Sequence, residues 1–205
     1  MDILIVMEII NPVRILKTKI LEDDRGWFSE TYNDHCFKKN GFKDVFVQDN
    51  HSFSLNTGTI RGLHFQKPPH AQAKIVRCVS GRIFDVAVDV RKDSPTYGNW
   101  ISLEISASSG LQIYIPIGFA HGFMTLEPNT EVIYKVTDFY SSSHDSGVLW
   151  QDKSISIRWP LLEKISPSLS DKDMNLPFLN QLDSPFAYDG FPLLPFDMER
   201  DMSCV

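Results

Sequence analysis

Short β-rich runs separated by turn residues are the feature that most constrains the fold. Stretches rich in Val, Ile, Phe and Tyr recur along the chain, and turn sequences such as NTG at 56–58 and DSPTYGN at 93–99 separate them. Many short strands punctuated in this way are typical of a β-sandwich or β-barrel. The predicted strands cover residues 9–20, 45–54, 72–79, 82–89, 100–105, 112–117, 131–136 and 147–150.

The length and the C-terminal composition indicate how the chain is organised. Its 205 residues suffice for one well-buried domain and are too few for two comfortable ones. We predict a single domain over residues 1–205, with a β core at about 10–160 and a C-terminal helical and loop appendage at 161–205. Short helices are expected near residues 35–40, ahead of Gly41, and near 171–176.

Charge and cysteine content exclude several classes of protein. A net charge of −6 argues against a broad nucleic-acid surface, although a few Arg and Lys side chains could still hold one phosphate group. The three cysteines are widely spaced and form no CxxC pair, so neither a disulfide framework nor a cysteine-based zinc site is expected. The N-terminal MDILIVMEII lacks the basic region and cleavage site of a signal peptide, and no stretch is long enough to span a bilayer. We expect a cytoplasmic protein with no nucleic-acid or membrane partner.

The densest group of polar side chains lies in QDNHSFSLNTGTIRGLHFQKPPHAQAK, residues 48–74. Arg61, His64 and Lys74 stand here among glycines, which indicates a site for an anion or another polar ligand. On a strand over 60–66, His64 shares a face with Gly62, and we expect the glycine to leave room for a ligand beside the imidazole. The alternative is a surface strand whose polar side chains are simply solvated.

A second segment, GLQIYIPIGFAHG at residues 110–122, resembles the second conserved motif of the cupin superfamily, whose fold is a double-stranded β-helix or jelly roll. His121 is then expected to point into the mouth of the barrel. Many cupins bind a metal through an HxH pair, a carboxylate and this histidine. Here GLHFQ supplies His64 alone, with no carboxylate at the expected position, so we predict a site without a metal.

Two further segments carry side chains suited to proton transfer and phosphate binding. In EVIYKVTDFY, residues 131–140, Tyr134 shares a strand face with two valines and should point inward, as a core tyrosine or as an acid facing a histidine. In DDRGWFSETYN, residues 23–33, Arg25 is a candidate phosphate ligand, and the alternative is a surface loop with exchangeable charges.

Taken together, these segments resemble the dTDP-4-dehydrorhamnose 3,5-epimerase family. The similarity runs through QDNHS, IRGLHFQ, IPIGFAHGF, YKVTDFY and LSDKD, and it covers most of residues 10–175. The resemblance implies a jelly-roll homodimer that needs no metal or organic cofactor and acts on a dTDP-linked 4-ketohexose.

The resemblance also implies roles for individual residues. His64 is the base, Tyr134 the acid on the opposite face, Asp173 the partner of His64, and Lys74 a neighbour of the enolate. The nucleotide-sugar site is implied to comprise Arg25, Phe28, Glu30, Gln48, Asn50, Arg61, His121, Asp145 and Lys172. Lys74 and His121 are the candidates for stabilising charge on the ketone oxygen.

Other functions remain open at this point. The chain could be an epimerase that inverts C3 or C5 alone, or a ketoisomerase that would not require Tyr134. It could also be a non-catalytic sugar-binding cupin, which needs a pocket but no histidine–aspartate pair, or a metal-dependent cupin oxygenase. The sequence favours inversion of both C3 and C5 of dTDP-4-keto-6-deoxy-D-glucose, because the segments at 48–74 and 110–121 are intact.

Overall fold

Two β-sheets form the body of the protein. The computed structural model describes residues 11–161 and 166–196, together with the backbone of 202–204. The first sheet has six strands in the order β13 (Met202–Cys204), β1 (Arg14–Lys17), β9 (Leu111–Ile115), β6 (Lys74–Ser80), β11 (Thr130–Val136) and β4 (Gln48–Ser54). The second has five, in the order β12 (Asp145–Gly147), β5 (Ile60–Gln66), β10 (Phe119–Thr125), β7 (Arg82–Asp89) and β8 (Trp100–Ser106). Both sheets are antiparallel apart from the β1–β13 pair, which confirms the predicted all-β fold.

The main hydrophobic core lies between the two sheets. Ile15 and Ile113 from the six-stranded sheet pack in one cluster with Ile83 and Phe119 from the five-stranded sheet, and all four are buried. Alternate residues of each strand face this core, as expected when two sheets pack against each other. Apolar side chains therefore fill most of the space between the sheets, and polar side chains line the remainder.

The C-terminal segment covers the outer face of the five-stranded sheet. Phe186 packs against Phe65 of β5 with ring centroids 5.4 Å apart, and Leu179 belongs to the same buried cluster. Asp189 accepts a hydrogen bond of 2.7 Å from Arg91, whose side chain is almost fully buried. The appendage is thus packed on the sheet that carries His64.

Four strands were not predicted from the sequence, namely β10, β13 and the two short strands at Leu21–Asp23 and Gly26–Phe28. All seven residues of β10 are buried, so the strand shows no alternation of polar and apolar residues and was predicted only as a turn bearing His121. The predicted strand at 9–20 is represented in the described part of the chain by β1, which lies between β9 and β13. Residues 9 and 10 lie outside the described part of the chain.

The short helices form where the sequence predicts them. Helix α1 (Asp34–Lys39) is capped by the Asn33 side chain, and Gly41 follows it with a φ of +84°. Helix α2 (Asp171–Met174) is capped by Ser170, and a 3₁₀ turn follows at Leu179–Gln181. None of the described helices is both long and apolar enough to cross a membrane. The separate hairpin of β2 (Leu21–Asp23) and β3 (Gly26–Phe28) is exposed at every position.

Candidate active site

A cavity of about 410 Å³ opens between the two sheets and is lined by all four predicted catalytic side chains. β4, β5, β6, β10 and β11 supply its walls, and the segment that leads into α2 closes one side. The lining residues are Ser52, Thr59, Ile60, Arg61, His64, Lys74, His121, Phe123, Tyr134, Ser168, Leu169, Ser170, Lys172 and Asp173. The structure therefore brings together residues that lie up to 121 positions apart in the sequence.

His64 and Asp173 form a histidine–aspartate pair in this cavity. His64 Nε2 lies 2.6 Å from Asp173 Oδ1, and the carboxylate is nearly buried while the imidazole is 29% exposed. Burial opposes the charge of Asp173, but hydrogen bonds from His64, Ser170 and the Gly62 amide outweigh it and hold its pKa below the ordinary value. An ionised Asp173 that accepts the Nε2 proton leaves the lone pair of Nδ1 free to act as a base.

Lys74 is a buried cation in the same cavity. Its ammonium donates a long hydrogen bond of 3.4 Å to the carbonyl oxygen of His64. Burial lowers the pKa of Lys74 to about 8, while the negative charges of Asp145 and Asp85 act in the opposite direction. The side chain is therefore mostly charged at neutral pH and has N–H groups left for a ligand oxygen.

Tyr134 reaches the cavity from the opposite sheet. It lies on β11, next to the buried Val132 and Val136 on the same face, and it lines the cavity as predicted. Its hydroxyl has no hydrogen-bond partner within residues 11–161 and 166–196. Burial raises the pKa of Tyr134, with Arg61 opposing, so the phenol stays protonated at neutral pH.

A second histidine–aspartate pair lies beside the first. His121 on β10 is the register partner of His64 on β5, and its Nε2 lies 2.9 Å from Oδ2 of Asp85 on β7. Both side chains of this second pair are buried. Asp85 was not predicted as a site residue, because IFDVAVD reads as an ordinary strand and nothing in its spacing points to His121.

Arg61 lines the cavity despite lying three residues from His64, a spacing that strict alternation would place on the other face. The pairing of β5 with β10 is irregular between His121 and Phe123, opposite this stretch, and Gly62 has a φ of +132°. The expectation that Gly62 leaves room for a ligand is wrong. A Cβ atom there would lie 2.5 Å from the Cα of Gly122, so the space is filled by the neighbouring strand.

A charged group stands at the rim of the cavity. Lys172 of α2 forms an ion pair with Asp145 of β12, and the Tyr140 hydroxyl donates a hydrogen bond of 3.1 Å to the same carboxylate. Gln48 and Asn50 share a face of β4 with Ser52, which lines the cavity, and are joined by a hydrogen bond of 3.0 Å. They do not themselves line it.

Three predicted binding residues lie away from this cavity. Arg25 is 90% exposed in the hairpin and pairs with Asp23, and Phe28 is 67% exposed on β3. Glu30 accepts a hydrogen bond from the Asn33 side chain beside α1. Within one chain, then, these residues are not brought together with His64, because the hairpin pairs only with itself and joins neither sheet.

Several cavity residues have no clear sequence signal. Ser168 binds the start of β5 through backbone hydrogen bonds with Ile60 and Gly58, and this places the segment 168–170 along the cavity. Serines in a region rich in proline and leucine form no sequence pattern that would predict such a contact. In the described part of the chain, no three His, Cys, Asp or Glu side chains are arranged to hold a metal ion.

Comparison with known proteins supports the assignment that the site suggests. The family model described as dTDP-4-dehydrorhamnose 3,5-epimerase matches residues 8–181. The enzyme of that name from Sinorhizobium fredii is 49% identical over 86% of this chain and 89% of its own length. A crystal structure of the Bacillus anthracis enzyme with TDP and PPi bound is 51% identical, with a TM-score of 0.78 over 81% of this chain and 93% of that one.

A second solved structure matches still more of the chain. The dTDP-6-deoxy-D-glucose-3,5-epimerase of Legionella pneumophila, in complex with dTDP-4-keto-L-rhamnose, has a TM-score of 0.83 and 38% identity. It covers 89% of this chain and 99% of that one. The jelly-roll fold, the paired histidine and aspartate, and these similarities agree with one another. The chain belongs to the dTDP-4-dehydrorhamnose 3,5-epimerase family.

Proposed function

We propose that this 3,5-epimerase inverts C3 and C5 of dTDP-4-keto-6-deoxy-D-glucose with His64 as the base and Tyr134 as the acid. The observation that carries the proposal is the 2.6 Å contact between His64 and Asp173 in a cavity also lined by Lys74 and Tyr134. A base, an acid and a cation in one space are what this reaction requires, and no cofactor enters the steps below.

The first step removes a proton next to the ketone. Such a C–H bond is a weak acid, and its ionisation becomes feasible when negative charge moves onto the C4 oxygen. His64 takes the proton, and the Asp173 carboxylate steadies the imidazolium that forms. Lys74 donates to the C4 oxygen, where it stabilises the enolate more than the ketone. Loss of one such donor typically costs about 3–4 kcal/mol of transition-state stabilisation.

Inversion requires that the new proton arrive from the other face of the ring. Tyr134 reaches the cavity from the six-stranded sheet, whereas His64 lies on the five-stranded sheet. A phenol with a raised pKa remains protonated at neutral pH and is available as the donor. After C3 has been inverted, the same groups can serve C5, because both carbons flank the ketone.

Cations near the rim suit the diphosphate of the substrate. Arg61 and Lys172 line the cavity, and both are solvent-exposed. Arginine and lysine are the usual phosphate ligands in proteins. The TDP and dTDP-4-keto-L-rhamnose bound to the two solved relatives support a nucleotide-linked sugar as the ligand here.

We further propose a homodimer in which the exposed hairpin completes the partner's cavity. Trp27 and Phe28 are 64% and 67% exposed, which is unusual for large aromatic side chains on a lone chain. A hairpin that enters the partner's cavity would bring Arg25, Phe28 and Glu30 to the nucleotide bound there.

Complementation between two inactive variants tests this arrangement. A mixture of H64N and R25A chains should regain activity, because one site of each heterodimer has both His64 and Arg25 intact. If the mixture is no more active than the two separate variants, the hairpin does not act across the dimer.

The reaction is tested by proton NMR in deuterium oxide. The purified chain is incubated with dTDP-4-keto-6-deoxy-D-glucose, and the C3 and C5 hydrogens are followed. Deuterium at both positions is the expected result. Deuterium at one position alone would indicate a monofunctional epimerase, and none at either would contradict the proposed chemistry. H64N provides the inactive control, since asparagine removes the base with little change in volume.

A further inference from the structure

The pair formed by His121 and Asp85 is not used in the steps above. Asp85 is fully buried, and its Oδ2 accepts the 2.9 Å contact from His121 Nε2. Its second oxygen, Oδ1, is buried and has no hydrogen-bond partner among the described residues. A buried carboxylate with an unsatisfied oxygen is costly, so a structural role in core packing does not account for it.

The charges around the pair determine its protonation. Lys74 is charged at neutral pH and lies close enough to Asp85 for each to shift the pKa of the other. Burial raises the pKa of Asp85, and attraction to His121 and Lys74 opposes that shift. An ionised Asp85 next to the charged Lys74 and a neutral His121 gives the three groups no net charge, and in this state Asp85 Oδ2 accepts the proton of His121 Nε2 over the 2.9 Å contact. A further proton would leave a buried positive charge, which is unfavourable.

The protonation state fixes the tautomer of His121. Burial lowers the pKa of His121, and the positive charge of Lys74 acts in the same direction, although Asp85 opposes both. A neutral His121 that donates its Nε2 proton to Asp85 carries a lone pair on Nδ1. That nitrogen has no partner among the described residues, and the side chain lines the cavity. Such an imidazole accepts hydrogen bonds and cannot donate one to an enolate oxygen.

We propose that Asp85 is a positioning residue that holds His121 as the Nε2-protonated tautomer, so that Nδ1 accepts a hydrogen bond from a hydroxyl of the bound sugar. This inference rests on the proposed function, and it changes the expectation that His121 shares the stabilisation of the enolate. That task falls to Lys74. His121 instead orients the ring next to His64, its register partner on the neighbouring strand.

The tautomer is measured directly by nitrogen NMR of ¹⁵N-histidine-labelled protein. Spectra of the full chain between pH 6 and 8 should show His121 neutral, with the proton on Nε2. In the D85N variant, whose amide can either accept from or donate to Nε2, the Nδ1-protonated form should appear. A wild-type His121 that is doubly protonated, or protonated on Nδ1, at pH 7 would overturn the proposal whatever the activity.

Deoxy analogues test the hydroxyl contact. Exchange of the C5 proton into deuterium oxide is measured for the full substrate and for its 2-deoxy and 3-deoxy analogues. One analogue should lose about tenfold to a hundredfold in kcat/KM with the wild type, because the Nδ1 acceptor of the buried His121 is then left without its hydrogen bond. D85N should show a similar loss on the full substrate but discriminate much less against that analogue. Equal rates for all three substrates with the wild type would contradict the assignment.

A control variant, D138N, shows whether the effect is specific to Asp85, and the exchange of the full substrate shows whether the proposed function itself holds. D138N removes a carboxylate from another histidine, His70, at 3.1 Å, outside the cavity. It should retain the discrimination between substrates. If the wild type exchanges no C5 proton even with the full substrate, the proposed function fails instead. Calorimetric binding of the full substrate and its analogues then tests the hydroxyl contact on its own.

Discussion

At the residue scale, the site depends on a buried lysine, Lys74, whose pKa is lowered by its burial. Burial lowers the pKa of Lys74 to about 8. Because the ammonium form stabilises the enolate, kcat/KM should fall as the pH rises through about 8 to 9. The measurement is a pH profile of C3 and C5 exchange between pH 6 and 10.

The K74R variant is the control for this prediction. Arginine stays protonated above pH 12, so the alkaline decline should disappear or move upward even if the absolute rate is lower. A wild-type profile that is flat to pH 10, or an unchanged decline in K74R, would show that another group titrates.

Some of the site residues could be predicted from the sequence and others could not. His64, Lys74, His121 and Tyr134 could be selected because they stand in short motifs of polar residues within apolar strands. Asp173 came from family resemblance alone, since it lies 109 residues from its partner His64. Asp85 was missed because only the register of β7 against β10 brings it to His121.

At the element scale, the C-terminal segment should contribute to stability through a few buried contacts. Phe186 is 6% exposed and packs edge-to-face on Phe65 of β5. Replacing Phe186 by Ala should lower the free energy of unfolding by about 3–5 kcal/mol, the usual cost of emptying a buried phenylalanine site. Urea unfolding followed by fluorescence measures the change.

Phe191 in the same segment provides the matched substitution. It is 44% exposed, so F191A should change the free energy of unfolding by less than about 1 kcal/mol. Equal effects of F186A and F191A would mean that the segment does not pack on the sheet as described.

Strands rich in β-branched and aromatic residues between clear turns were predictable, and those that lack such signals or pair at a distance were not. Arg82–Asp89 was predicted with the bounds that β7 has, although its last five residues are all buried and do not alternate in exposure. β10 and β13 were missed, the first through complete burial and the second because its pairing with β1 joins opposite ends of the chain. The division into a core at about 10–160 and an appendage remains a prediction, supported by the packing of Phe186.

At the scale of the whole molecule, carboxylates with lowered pKa values should make the free energy of unfolding depend on pH. Burial opposes the charge of Asp89, but hydrogen bonds from Arg91, Ser94 and Thr96 outweigh it and hold its pKa below 3.8. The same direction holds for Asp152 and Asp173. A lowered folded-state pKa contributes stability above about pH 4 that is lost as the pH falls through the folded value.

The free energy of unfolding should therefore decline between pH 5 and pH 2. In D89N the protein should already be less stable at pH 6, because Arg91 loses its buried partner, and the decline at low pH should be shallower. Chemical denaturation at a series of pH values measures both slopes. Parallel curves for D89N and the wild type would contradict the assignment of this dependence to Asp89.

The opposed placement of His64 and Tyr134 is tested most directly by Y134F in deuterium oxide. The Tyr134 hydroxyl has no partner among the described residues, so its removal should leave the fold intact while slowing inversion about 10²–10⁴-fold. With His64 in place, deuterium should still enter C3 or C5, but with retained configuration, whereas H64N should show neither exchange nor inversion. Inversion by Y134F at the wild-type rate, or exchange by H64N, would contradict the account.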